Sequence, residues 1–157
     1  MRLRASPSMA TTPLPQDFAD FLKLLNSHGV EFLLIGGYAV GIHGYPRGTA
    51  DLDVWVSTAQ GNAARIVSAL KEFGFETPEL SAALFQQPDK VVRMGVPPIR
   101  IDILTSIAGV TFDDCYRRRE VVSVGDLQVP VISLPDLKVN KLATGRSQDR
   151  ADVDHLP

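Results

Sequence analysis

Three aspartates sit where strand geometry would gather their carboxylates. In the run Asp51-Leu52-Asp53-Val54-Trp55-Val56, acids alternate with apolar residues. Side chains two apart on a strand share a face, so Asp51 and Asp53 project together while Leu52 and Val54 turn to the core. The later run Ile99-Arg100-Ile101-Asp102-Ile103 repeats the alternation, with Arg100 and Asp102 opposite three isoleucines. If the two strands are neighbours, three carboxylates converge on one polar surface and repel unless a cation lies between them. Carboxylate oxygens favour hard ions such as Mg²⁺ or Mn²⁺, which also take substrate phosphates. Such ions stabilise the attacking and leaving oxygens of a phosphoryl displacement, a reaction that asks little else of a protein beyond positioning. Taken alone, such a pair is more often a solvated strand face, and the second strand with the diglycine before the first changes that weighing.

Gly36-Gly37 stands between an apolar run and a short helical stretch, with thirteen residues separating Gly37 from Asp51. Glycine lets the backbone approach a ligand, and a helix start offers free N–H groups to a phosphate. An ordinary tight turn is the plain alternative for the diglycine, and the joint spacing is what informs. Arg47 suits either a phosphate or a carboxylate of the site. Thr49 is expected to hold its loop by a local hydrogen bond.

The elements that must position these groups are read from periodicity. A helix is expected over Asp17–His28, where Phe18, Phe21, Leu22 and Leu25 recur at helical spacing. Val30–Ile35 reads as a buried strand and Tyr38–His43 as a short helix. After the Asp51 strand, a helix over Ala59–Phe73 carries Ile66, Val67, Leu70 and Phe73 on its apolar side. Thr77–Gln87 is ambiguous. Lys90–Met94 and Pro98–Leu104 read as strands, and Glu120–Val124 with Leu127–Ile132 as a hairpin about Gly125-Asp126. Ser133 and Asp136 match a capping box, followed by a helix over Leu134–Thr144 that Gly145 ends. A last short helix begins near Gln148. This order implies an α/β or α+β domain with helices covering one sheet face.

The 157 residues suit one domain, and a 45% hydrophobic, 22% charged composition supports a buried core. A net charge of −2 argues against a dedicated DNA binder but leaves RNA contact through a local patch open, Arg117-Arg118-Arg119 being a candidate beside a plain solvated helix end. Cys115 is the sole cysteine, so an intrachain disulfide and a cysteine zinc site are excluded. No apolar run reaches the roughly 20 residues of a membrane span, and a cytoplasmic location is the default expectation. Residues 1–15 hold two arginines, three prolines and no acid. They are expected to be a disordered lead-in to a domain over 16–157.

The stretch Ile35-Gly36-Gly37-Tyr38-Ala39-Val40, then Arg47-Gly48-Thr49-Ala50-Asp51-Leu52-Asp53-Val54, resembles the signature of the DNA polymerase beta-type nucleotidyltransferases, with Asp102 as the third acid. The Arg-x-Thr-x-Asp-x-Asp form, and the tail from Leu137 through Arg146, Asp149 and Asp152, look like the small abortive-infection and toxin–antitoxin branch. The resemblance implies a mixed sheet with helices on one side and the metal site on the other. It also implies transfer of a nucleoside monophosphate from a triphosphate, ATP among them, to an acceptor hydroxyl. Asp51, Asp53 and Asp102 would bind metal, Asp102 also helping to deprotonate the acceptor. Gly36 and Gly37 would meet the triphosphate, and Lys141 would neutralise phosphate charge, its bland alternative being a solvated helix residue. Arg146, Asp149 and Asp152 read as an ion-paired turn. His43 reads as a loop contact rather than a base, and Cys115 as core.

Larger members of that superfamily carry further helices or a second domain for the acceptor, and this chain is expected to leave no room for one. Either RNA, a protein hydroxyl or a small antibiotic-like alcohol is then bound directly, by a homodimer or with a partner protein, or the sequence is truncated at its C-terminus. The rival readings are a non-catalytic nucleotide- or protein-binding member of the fold and an antibiotic-modifying enzyme.

Overall fold

A computed structural model describes residues 2–5, 14–46, 48–49, 51–96 and 98–157. Among these described residues, seven strands form one mixed sheet: β1 (Arg2–Ala5), β2 (Phe32–Ile35), β3 (Asp51–Val56), β4 (Val91–Val96), β5 (Ile99–Leu104), β6 (Glu120–Val124) and β7 (Leu127–Val131). Their spatial order is β1-β6-β7-β2-β3-β5-β4. β3 runs antiparallel to β2 and parallel to β5, which pairs in turn with antiparallel β4. The described helices are α1 (Gln16–Ser27), α2 (Gly36–Ile42), α3 (Gln60–Phe73), α4 (Ala82–Phe85), α5 (Phe112–Arg117), α6 (Leu134–Thr144) and α7 (Ser147–His155). The expected strands and helices are present within two residues of their anticipated ends, the first buried strand starting two residues late and the diglycine helix two residues early.

Three outcomes differ from the sequence reading. Four residues of the lead-in expected to be disordered, Arg2–Ala5, pair with β6 in parallel as an edge strand. The ambiguous Thr77–Gln87 stretch yields only the one-turn α4, capped by Ser81 accepting from the Leu84 N–H. α5 was not anticipated, because six residues hold too little periodicity to betray a helix.

The apolar faces dictate the packing. Phe18, Phe21, Leu22 and Leu25 of α1 and Ile66 and Leu70 of α3 are all buried, and Phe21 meets Phe73 edge-on. Together they cover the sheet face that carries Leu52, Val54, Ile101 and Ile103. Each fully buried side chain of this size contributes about 1.5–3 kcal/mol. On the other face Phe112 packs edge-on against Trp55 at 5.2 Å, closing one end of that face.

Polar side chains pin the joints. Buried Asn62, in the first turn of α3, accepts from the Glu31 N–H and donates to the carbonyls of Glu31 and Ser57. Gly74 then ends α3 at φ 96°, a left-handed turn that suits glycine. β2 and β7 share a single register pair, Leu34 with Val131. That seam is bridged by Asn26 donating to the Gln128 carbonyl and by His43 Nε2, 2.7 Å from the Ile132 carbonyl. Among the described residues no helix is long and apolar enough to cross a membrane.

Candidate active site

The parallel pairing of β3 with β5 sets Asp53 directly beside Asp102, and Asp51 beside Arg100. Strand alternation then puts all four side chains on one face, above the apolar layer formed by Leu52, Val54, Ile101 and Ile103. β2 brings Ile35 opposite Asp53, so the chain turns at Gly36 against that carboxylate. Gly36 has φ 70°, and a Cβ there would stand 3.0 Å from Asp53 Cγ and overlap its Oδ2. A Cβ on Gly37 would come 2.7 Å from Thr49 Oγ1. The diglycine is therefore a close approach of backbone to the acid strand and its preceding loop. Thr49 holds that loop as expected, donating to the Asp51 carbonyl at 3.3 Å.

Gly36, Gly37, Asp51, Asp53, Asp102 and Lys141 all line one open cleft of about 420 Å³. Arg47 lies outside the described residues. The cleft also holds Arg93, Arg100, Asn140, Thr144, Arg146 and Gln148, which the sequence reading did not assign to the site. Alternation on β4 would have found Arg93, which faces Asp102 as its cross-strand partner. Arg100 shares the acid face of β5 by the alternation already described, and the other four come from helix packing, for which the sequence carried no register.

Electrostatics in the cleft are those of crowded acids. Burial pushes the Asp53 carboxyl up, and the neighbouring charges of Asp102 and Asp51 push it further, to about 6, against opposing pulls from Lys141 and Arg100. Burial also raises Asp102, although Arg100 and Arg93 pull it back. Asp102 Oδ1 is buried and makes no hydrogen bond with the described residues. Arg93 Nε and Arg100 Nε stand 3.5 and 3.6 Å from it, too far to satisfy it.

These features decide whether a divalent cation fits. Hard oxygen donors, an orphaned carboxylate oxygen and acids that resist ionisation beside one another are what a bound cation would relieve. Among the described residues no three ligating side chains already form a closed cluster. One of the three acids, Asp51, accepts through Oδ2 from Arg100 Nη2 at 2.6 Å. The donor set fits the ion, with Asp51 presently engaged elsewhere.

Lys141 has carboxylate partners within the protein. It is buried, and its Nζ lies 3.0 Å from Asp149 and 3.3 Å from Asp152, both buried carboxylates. Burial alone would raise Asp149. Hydrogen bonds from Arg146, Thr144 and Lys141 overcome that and hold it at about 2. Arg146, Asp149 and Asp152 do form an ion-paired joint between α6 and α7, as their spacing suggested, and Lys141 is its centre. It is a buried, ion-paired residue rather than a solvated one, and it also lines the cleft.

The remaining candidates are structural. His43 is buried against the Ile132 carbonyl and 3.7 Å from Glu120. Cys115 is buried, which together with Asp136 drives its thiol up to about 12. The arginine cluster is engaged internally. Arg117 pairs with Asp114, Arg118 grips Asp136 with two bonds of 3.0 Å, and Arg119 stacks on Tyr116. Asp136 also accepts from Ser133 Oγ while its own N–H caps onto that oxygen. The Asp136 carboxylate thus reaches back to the hydroxyl of the N-cap residue while Arg118 grips it as well.

Comparison with known proteins agrees with this geometry. No curated protein sequence matches the chain. A crystal structure from Thermotoga maritima, described as a "putative nucleotidyltransferase", has the same fold at 17% identity, with a TM-score of 0.59 over 87% of each chain. A model of the family described as "Nucleotidyltransferase of unknown function (DUF6036)" matches residues 16–156. With its acid-bearing strands and diglycine turn inside that span, the chain belongs to this nucleotidyltransferase family.

Proposed function

We propose that the chain transfers a nucleoside monophosphate from a nucleoside triphosphate, ATP among them, to an acceptor hydroxyl. The observation that carries this is the in-register pairing of Asp53 with Asp102 in the cleft that Gly36 and Gly37 border. Asp51, Asp53 and Asp102 would hold Mg²⁺ or Mn²⁺, which when bound supplies charge neutralisation at the phosphate oxygens. The backbone of Gly36 and Gly37 takes the triphosphate. Asp102, with one buried oxygen unpartnered among the described residues, accepts the proton of the attacking hydroxyl. The new bond joins that oxygen to the α-phosphorus, the bond from the α-phosphorus to the bridging oxygen breaks, and pyrophosphate departs. Arg93 and Arg146, both at the cleft, stand where they can offset the leaving charge.

The Arg-x-Thr-x-Asp-x-Asp likeness supports a place in a toxin–antitoxin or phage-defence system, acting on RNA, a protein hydroxyl or a small alcohol. A second copy or a partner protein would complete the acceptor surface. Arg117 and Arg118 keep exposed side chains beside their carboxylate partners, which leaves the basic triplet 117–119 a surface for an RNA acceptor.

The test is incubation with Mg²⁺, each labelled nucleoside triphosphate and cell lysate, beside an Asp51→Ala, Asp53→Ala double variant. Label should pass to an acceptor with the parent alone. Nucleotide binding without transfer would instead favour a non-catalytic member of the fold, and label that persists in the variant would defeat the assignment of these acids.

A further inference from the structure

We propose that Arg100 is an exchangeable counter-charge, a positioning residue that clamps Asp51 in the metal-free protein and must release it when the acids take up a divalent cation. The inference rests on the metal-site reading above. Arg100 and Asp51 are direct cross-strand partners, and among the described residues the Nη2–Oδ2 bond of 2.6 Å is the sole hydrogen bond that the guanidinium makes to the acids. Its Nε, 3.6 Å from Asp102 Oδ1, is buried and unsatisfied, as is that oxygen. The side chain thus lies between the two acids that would share a cation while bonding well to only one of them.

A permanent brace would look different. A guanidinium reaches its full strength through two parallel bonds to one carboxylate, the arrangement that Arg118 makes with Asp136 in this same protein. Arg100 forgoes the second bond and leaves two polar atoms orphaned, which lowers the cost of letting go. The guanidinium stands between Asp51 and Asp102, 2.6 Å from one and 3.6 Å from the other, so an ion shared by both acids displaces it. Once released, Arg100 is still a residue of the triphosphate cleft, and its planar fork suits phosphate oxygens. A cation traded in this way couples metal loading to the appearance of a phosphate-binding group.

The experiment measures binding, with no turnover required. Mn²⁺ affinity is read from loss of the free-ion electron paramagnetic resonance signal for the parent, Arg100→Gln and Arg100→Lys. Arg100→Gln should bind about tenfold tighter, the scale of one charge-assisted hydrogen bond. Arg100→Lys keeps the charge but loses the fork, and should also bind tighter, by a smaller factor. It serves alone if the glutamine variant does not fold. In parallel, ¹⁵N-arginine spectra should show slowed rotation at the Arg100 guanidinium that becomes free on adding Mg²⁺. Unchanged or weaker Mn²⁺ affinity in the variants, or a guanidinium still restrained with Mg²⁺ bound, would overturn the exchange and leave the metal site standing. Absence of Mn²⁺ binding in every protein would remove the metal site and the exchange together.

Discussion

The Asp53 carboxylate occupies the space that any side chain on Gly36 would need, with its Cγ 3.0 Å from the position of a Cβ there. Gly36 also has φ 70°, so two separate penalties fall on one substitution. Gly36→Ala should destabilise the fold by about 2 kcal/mol or more, part from the left-handed backbone and part from displacing the acid. Urea denaturation measures the first effect. Loss of Mg²⁺-dependent stabilisation measures the second, and an alanine variant that keeps both would show the contact to be slack.

Replacing the neighbouring acid has the opposite sign. The Asp53 carboxyl titrates at about 6 rather than 3.8, so between those values the folded chain holds a proton that the unfolded chain gives up. Stability from this group is therefore fully present below about pH 4 and is lost as pH rises through 6. Asp53→Asn should make the metal-free protein more stable at pH 7.5, by roughly 1–2 kcal/mol. Melting curves taken from pH 7.5 down to 4 should show that advantage shrink to nothing. A constant gap would mean that the charge is not the cause.

Metal should reverse that order. Excess Mg²⁺ ought to raise the melting temperature of the parent, because a ligand at a hundred times its dissociation constant adds about 2.7 kcal/mol to the folded state. The Asp51→Ala, Asp53→Ala variant should not respond, and a chelator should return the parent to its starting value. Equal shifts in both proteins would place the ion elsewhere.

Lys141 separates a structural from a ligand-binding role. Its ammonium is shared by two buried carboxylates, and Lys141→Met would take that shared charge away from both. Breaking a buried pair from one side costs about 3–5 kcal/mol. The expected result is a large drop in the denaturation midpoint, deepest above about pH 4, where Asp149 is ionised folded or unfolded. Normal stability with a raised KM for triphosphate would instead restore the phosphate-binding role.

Much of the acid site was legible because strand alternation is local. The spacing of Asp51 and Asp53, and of Arg100 and Asp102, determines a common face for each pair without help from any distant residue. That β5 lies beside β3 was a wager on topology, and the resemblance favoured it. What stayed hidden depended on partners far along the chain. Nothing in the run 99–103 says that Arg100 will meet Asp51 rather than water, because that needs the exact parallel register. Lys141 reads as an ordinary helix cation until α7 folds back to bury it under Asp149 and Asp152. α5 escaped notice because its ordering comes from Phe112 meeting Trp55, a tertiary contact rather than a periodic pattern. Residues 2–5 pair in parallel with β6, a partner far along the chain.

The single register pair joining β2 to β7 divides the sheet unequally. Every acid proposed for chemistry belongs to the four-strand side, β2-β3-β5-β4, where β3 and β5 are hydrogen-bonded along both edges. The hairpin β6–β7 and the strand beyond it join that side by this pair, a backbone bond from the Ile132 N–H to the Leu34 carbonyl, side-chain bridges such as that of His43 and the shared apolar core. Amide exchange should therefore run on two clocks, with the hairpin opening first and the backbone of Asp53 and Asp102 yielding only when the whole molecule does. A protein built this way can flex or remodel one flank, for a partner or a second copy, while its carboxylates stay in register.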